Sequence, residues 1–168
     1  ALESVFNLYW KDLNLFNFEQ FEFEFEKSII QLSKHLGKTA SAKNRVLIFQ
    51  NILERFDTFF KNSIPLESNE QYWNYFFKHA KLFDGAYEAM EELSKQTKVC
   101  LVTNFCAEIQ YKKIVHFGIE HFFNYIVTSE EVGAEKPSSS YFEYVLEKIQ
   151  IDPSQVCILG DNLAKDVK

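Results

Sequence analysis

Lys98-Val-Cys-Leu-Val-Thr103-Asn104 is a short apolar, β-branched run with polar residues at both ends, the pattern of a parallel strand buried on both faces. On its amino-terminal side, Asp84-Gly85 precedes a predicted helix over 86–95. On its carboxyl side, the spacing predicts a helix over 107–117 that stops at Gly118. Next come a strand over Tyr125-Ile-Val-Thr128, a helix over 140–149, the punctuation Asp152-Pro153, and a third strand, Val156-Cys-Ile-Leu159, running into Gly160-Asp161. This β-α-β-α-β alternation with short connections predicts an α/β fold with a doubly wound parallel sheet. Such sheets bind ligands beyond the carboxyl ends of their strands, so the polar residues there are the functional candidates.

Before residue 81 the pattern is helical throughout. Phe18, Phe21, Phe25, Ile29, Leu32 and Leu36 recur at steps of three and four and share one helix face, which Gly37 ends. Phe21, Phe23 and Phe25 alternate with Glu22, Glu24 and Glu26 as in a strand, but the apolar period continues too long for one. Ser41 reads as the N-cap of a helix carrying Val46, Phe49, Ile52, Leu53, Phe56 and Phe60, with Pro65 as its end. A shorter helix over 68–79 carries Tyr72, Trp73, Tyr75, Phe76 and Phe77. These aromatic stripes read as the interior of a helical bundle. The expected organisation is a helical domain over 1–80 and an α/β domain over 81–168.

Composition agrees with this reading. Of 168 residues, 46% are hydrophobic and 25% charged, enough for a core and far from the signature of disorder. There are only 5 Gly and 3 Pro against 18 Phe, which favours long helices over turn-rich all-β folds. The net charge of -6 without any basic run gives no footprint for nucleic acid or an anionic membrane. No stretch suits a membrane span or a signal peptide. Cys100, Cys106 and Cys157 lack C-x-x-C spacing, and two lie in apolar runs, so buried, reduced thiols of a cytoplasmic protein are expected. His35, His79, His116 and His121 are too scattered for a metal-ligand set. Ser138, Ser139 and Ser140 read as a helix N-terminus after Pro137.

The first strand ends in Thr103-Asn104, the third in Gly160-Asp161, and Glu135-Lys136-Pro137 follows the second. Asp166, five residues beyond Asp161, can return to the same rim through a tight turn. A hydroxyl, an ammonium and two carboxylates suit an anion held beside a divalent metal. Carboxylates are the hard oxygen ligands Mg2+ prefers, lysine is a compact point charge for a phosphoryl oxygen, and the Thr103 hydroxyl is a donor.

Leu-Val-Thr103-Asn104, Ser-Glu-Glu-Val-Gly-Ala-Glu-Lys136-Pro and Ile-Leu-Gly-Asp161-Asn-Leu-Ala-Lys-Asp166 resemble the second, third and fourth motifs of the haloacid dehalogenase-like superfamily of hydrolases. They occur in order, with 33 residues from Thr103 to Lys136 and 25 from Lys136 to Asp161. The resemblance covers about half the chain, from Phe83 to Asp166, and implies a Rossmann-like core. The helical first half resembles the four-helix cap inserted after the first motif in one branch of this superfamily. By this resemblance the protein is a hydrolase of small phosphorylated metabolites, nucleotide or sugar phosphates, using Mg2+ and an aspartyl-phosphate intermediate. Thr103 would bond the transferring phosphoryl group with Asn104 nearby, and Lys136 would balance its charge. Asp161 would be the Mg2+ ligand, and Asp166 would orient Lys136 or metal-bound water. Position 105 is Phe where many members carry Gly. Arg45 reads as a solvated helix arginine, with a substrate contact as the alternative.

The superfamily's first motif, an apolar strand ending in Asp-x-Asp, has no match here. Asp12-Leu-Asn14 lacks a preceding strand and a second aspartate, and Asp57-Thr58 lies in a helical pattern. The expectation is therefore that these residues are the interior of a longer protein, truncated at both ends, whose missing first strand lies between those ending at Thr103 and Asp161. Two other readings stay open: a 2-haloacid dehalogenase, using the same aspartate without metal, and a non-catalytic binding module.

Overall fold

The computed structural model describes residues 1–56 and 63–166, so Phe60, Asp57 and Thr58 of the sequence reading lie outside the described residues. Two compact units emerge: Ala1–Gly37 with Ser41–Lys81, and Lys38–Ala40 with Leu82–Lys168. No described helix is long and apolar enough to cross a membrane.

The first unit is helical. Helix α1 (Leu2–Val5) runs into successive helical turns over Phe6–Trp10 and Lys11–Leu13, and Asn14 closes them at φ +52°. Asp12 and Asn14 thus lie in a turn and not on a strand. Helix α2 (Phe18–Leu36) starts in a capping box, where Asn17 and Gln20 exchange side-chain-to-backbone bonds of 2.9 and 3.0 Å. It ends at Gly37, φ +68°. Helix α3 (Arg45–Glu54) is capped by Asn44, whose side chain accepts from the Val46 and Leu47 amides; Ser41, expected to cap it, lies in a preceding turn, Ala40–Lys43. Helix α4 spans Ile64–His79 with Pro65 in its first turn. Pro65 therefore begins a helix where the sequence reading had it end one, because its missing N–H is no loss there.

The core of this unit is aromatic. Trp10, Phe21, Phe25 and Phe49 are buried, with Trp10 4.8 Å from Phe21 and 5.9 Å from Phe49, ring centre to ring centre. Trp10 Nε1 donates to the buried Ser68 hydroxyl at 2.9 Å. Ser68→Ala would leave that N–H unpaired, and a loss of about 1–3 kcal/mol is expected as a lower urea midpoint. Arg45 is not the solvated residue expected. It is half-buried, its guanidinium 4.9 Å from the Tyr72 ring centre and 5.7 Å from that of Phe25, with Nη1 donating to the Lys43 carbonyl. Packing against rings holds a weakly hydrated guanidinium out of water.

In the second unit, helix α5 (Ala86–Gln96) leads to strand β1 (Cys100–Thr103), helix α6 (Ala107–His116) and strand β2 (Tyr125–Thr128). The short helix α7 (Ser129–Val132), helix α8 (Ser139–Ile149) and a last turn, α9 (Leu163–Asp166), follow. The strands pair in parallel, Cys100 opposite Tyr125 and Thr103 opposite Thr128. Val127, Tyr141, Val145 and Ile149 pack one face of this sheet, and Ile114, Ile119 and Phe122 form a separate cluster that Leu101 and Ile126 join.

The sheet among the described residues has these two strands, so the doubly wound arrangement is not what the structure displays. Val156–Leu159, expected as a third strand, pairs with no strand, and Leu159 is 77% exposed. An apolar run becomes a strand only where a neighbour takes its backbone groups, and no described residue offers one. For the same reason Cys157 is exposed, against the expected burial, while Cys100 and Cys106 are half-buried; none of the three is in a disulfide.

Candidate active site

Because β1 and β2 are parallel and in register to their last residues, their outgoing connections leave the same edge. The β1 connection is Asn104-Phe105-Cys106, leading to α6. The β2 connection is α7, a turn at Gly133 (φ +72°), and the segment to Lys136 and Pro137.

Side chains tie these connections together. Tyr141, fully buried in the first turn of α8, donates its hydroxyl to the Val127 carbonyl at 2.8 Å and accepts the Thr103 amide at 2.8 Å. Burial pushes its phenol well above the ordinary value, so it stays a neutral donor. Tyr141→Phe strands a buried carbonyl and an amide at the end of the sheet. A loss of about 1–3 kcal/mol is expected, read as a lower urea midpoint and faster hydrogen exchange at Thr103. Glu130 Oε2 accepts from the Ala107 amide at 2.8 Å, so the β2 connection supplies an acid to the first turn of α6. Glu131 Oε1 accepts from Lys148 Nζ and Tyr144 Oη at 2.5 and 2.7 Å, anchoring α7 to α8.

Three of the sequence candidates form one connected set. The Asn104 amide pairs with both backbone groups of Lys136, accepting its N–H at 2.8 Å and donating to its carbonyl at 3.0 Å. Lys136 Nζ lies 2.7 Å from Asp166 Oδ1, and both side chains are largely buried, 13% and 6% exposed. That ammonium holds the Asp166 carboxyl below the usual carboxylate range. Asp166 Oδ2 also accepts from the Asn162 amide at 3.2 Å.

Thr103 joins the set through the chain. Its hydroxyl accepts from Gln110 Nε2, which leaves the hydroxyl proton to donate elsewhere. Asp161 is exposed and engages none of the other four through a described side-chain contact.

Gln110 and Tyr141 were missed by the sequence reading, which named Gly160 only as the neighbour of Asp161. Gln110 is the fourth residue of α6 and reaches back to the strand end. Tyr141 leads the series 141, 145, 149, a buried helix face whose first member carries a hydroxyl. Gly160 makes room for Asp166, since a Cβ at 160 would lie 2.4 Å from Asp166 Oδ2.

As a divalent-metal site this donor set is partial. No group of three metal-ligating side chains occurs among the described residues. Mg2+ commonly takes one or two carboxylates, with water and substrate phosphate completing its shell. The uncommitted, exposed Asp161 carboxylate fits one such position, whereas Asp166 is already engaged by Lys136 and Asn162.

The sequence profile of the haloacid dehalogenase-like hydrolases matches residues 14–168. The chain belongs to this family. It is 28% identical over 153 residues to a ribulose-1,5-bisphosphate 5-phosphatase of Halopiger xanaduensis, an alignment covering 90% of the chain and 64% of that protein. It is 35% identical over 100 residues to YfnB of Bacillus subtilis, covering 59% of the chain and 43% of that protein. The family member thus spans less than two thirds of either relative. A crystal structure of YfnB bound to magnesium superposes with a TM-score of 0.66 at 24% identity, over 97% of this chain and 73% of that one. A 2-haloacid dehalogenase from Pseudomonas syringae pv. Tomato superposes with a TM-score of 0.72 at 17% identity, over 99% and 70%. Both likenesses concern the fold.

Proposed function

We propose that the complete protein is a cytoplasmic Mg2+-dependent phosphatase of small phosphorylated metabolites, a sugar phosphate or nucleotide, with a helical cap over 1–80 and an α/β core over 81–168. The observation that carries this reading is the Lys136 ammonium, held by Asp166 beyond the ends of two parallel strands, on a segment that Asn104 ties to the end of the strand carrying Thr103. A largely buried, fixed cation suits an anion that gains charge in the transition state. The sugar-phosphate name of the Halopiger relative supports the substrate class.

In the proposed reaction a carboxylate oxygen of an aspartate bonds to phosphorus while the bond to the substrate oxygen breaks, and the leaving alcohol takes a proton. Water then attacks phosphorus, releasing phosphate and restoring the carboxylate. That aspartate is assigned to no residue of this chain. Thr103 donates its hydroxyl proton to a phosphoryl oxygen, Lys136 neutralises the transferring group, and Asp166 keeps Lys136 aimed. Asp161 would hold Mg2+, which supplies further charge neutralisation when bound.

The test is phosphate release by the complete protein from a panel of phosphomonoesters, with Mg2+ and with EDTA. Mg2+-dependent release is the expected result. Halide release from a 2-haloacid without metal would replace this reading with the dehalogenase, and inertness toward both would leave a binding module.

A further inference from the structure

We infer that Asn104 is a positioning residue for Lys136, setting where the ammonium stands by holding the lysine's backbone. The inference rests on the phosphatase reading for its catalytic consequence; its geometric basis is independent of that reading.

Lys136 lies in 133–138, a segment outside helix and strand. No sheet ladder is available to register this segment, because the paired strands stop at Thr103 and Thr128, and the next residue, Pro137, has no N–H to give. Asn104, the first residue after β1, supplies the missing rung. Its planar amide accepts the Lys136 N–H at 2.8 Å and donates to the Lys136 carbonyl at 3.0 Å, as a neighbouring strand's backbone would. The Glu130 bond to the Ala107 amide ties the same two connections a second time.

Lysine has a flexible four-carbon stem, so a fixed ammonium requires restraint at both ends. Asn104 restrains the backbone end, and Asp166, at 2.7 Å, the other. A shorter or apolar side chain at 104 frees the segment, and a displacement of about 1 Å at a reacting group lowers rates by roughly a hundredfold. A direct contact between Asn104 and the phosphoryl group is the competing role. It predicts an effect on KM that survives loss of Lys136.

The experiment uses the complete protein with p-nitrophenyl phosphate and Mg2+, comparing wild type, Asn104→Leu, Lys136→Met and the double variant. Asn104→Leu is expected to lower kcat by about 10–100-fold with KM little changed, and to cost almost nothing further in the Lys136→Met background. Full additivity of the two losses, or a rise in KM alone, would overturn the inference. Asn104→Asp serves where the leucine variant does not fold: it keeps the acceptor, loses the donor, and is expected to show a smaller loss of the same kind. Hydrogen exchange at the Lys136 amide separates the two readings. If no phosphomonoester is hydrolysed, the phosphatase reading fails. The positioning role then stands on faster exchange at that amide with unchanged exchange at Val127, and falls if the Lys136 amide exchanges as in wild type.

Discussion

Lys136→Met in the complete protein is expected to lower kcat for phosphate release by about 10²–10³-fold, with a much smaller change in KM. Methionine matches the stem to Cε and removes the ammonium, its charge and its donors together. The loss is the size expected when one preorganised group facing a transition-state anion is removed, because the Lys136 side chain is 13% exposed and its ammonium already aimed by Asp166. The same variant removes the main cause of the lowered Asp166 pKa. A carboxyl whose folded pKa lies below its unfolded value contributes stability above the unfolded value and loses it as pH falls through the folded one. In wild type the Lys136–Asp166 pair therefore outlasts the ordinary aspartate titration as pH falls and is lost only at lower pH. An NMR titration of the Asp166 carboxyl carbon reads this directly, and in Lys136→Met the same resonance should titrate at higher pH. An unmoved titration would mean that the pair does not form in solution.

Gly160→Ala is expected to reduce activity by about one to two orders of magnitude without changing any side chain that touches substrate. The added Cβ would sit 2.4 Å from Asp166 Oδ2 and 2.5 Å from its carboxyl carbon, distances that real atoms do not adopt. Either the carboxylate swings away and releases Lys136, or the turn before α9 shifts. Overpacking of this kind costs about 1–3 kcal/mol, and tenfold in rate corresponds to about 1.4 kcal/mol. Urea unfolding and kcat are measured on the same preparation. Wild-type kcat in the alanine variant would show that the approach of Asp166 to Gly160 has no part in the reaction.

The helices of the first unit were legible in the sequence where a period of three to four met a stop signal. Phe18 to Leu36, closed by Gly37, is the clearest example. Their starts were less legible, because Ser41 and Asn44 both have capping chemistry and only the chain's path decides which one caps. Pro65 misled for a similar reason: one residue type both follows helices and opens them. At the site, Thr103, Lys136 and Asp166 stood out by type and by their place at, or in the connection after, a predicted strand. Gln110, Tyr141 and Gly160 did not, since each acts on a residue 6 to 38 positions away.

By itself, the sequence determined the helical character of residues before 81, both strands that form, and the residue types suited to phosphoryl chemistry. These follow from periodicity and side-chain chemistry, which are local. Only the tertiary structure decided that Val156–Leu159 joins no strand among the described residues, that Arg45 stacks among rings, and that the Asn104 amide bonds the Lys136 backbone. Those outcomes depend on which donors, acceptors and surfaces meet in space, and a strand, a buried cation or a hydrogen bond exists only in the presence of its partner.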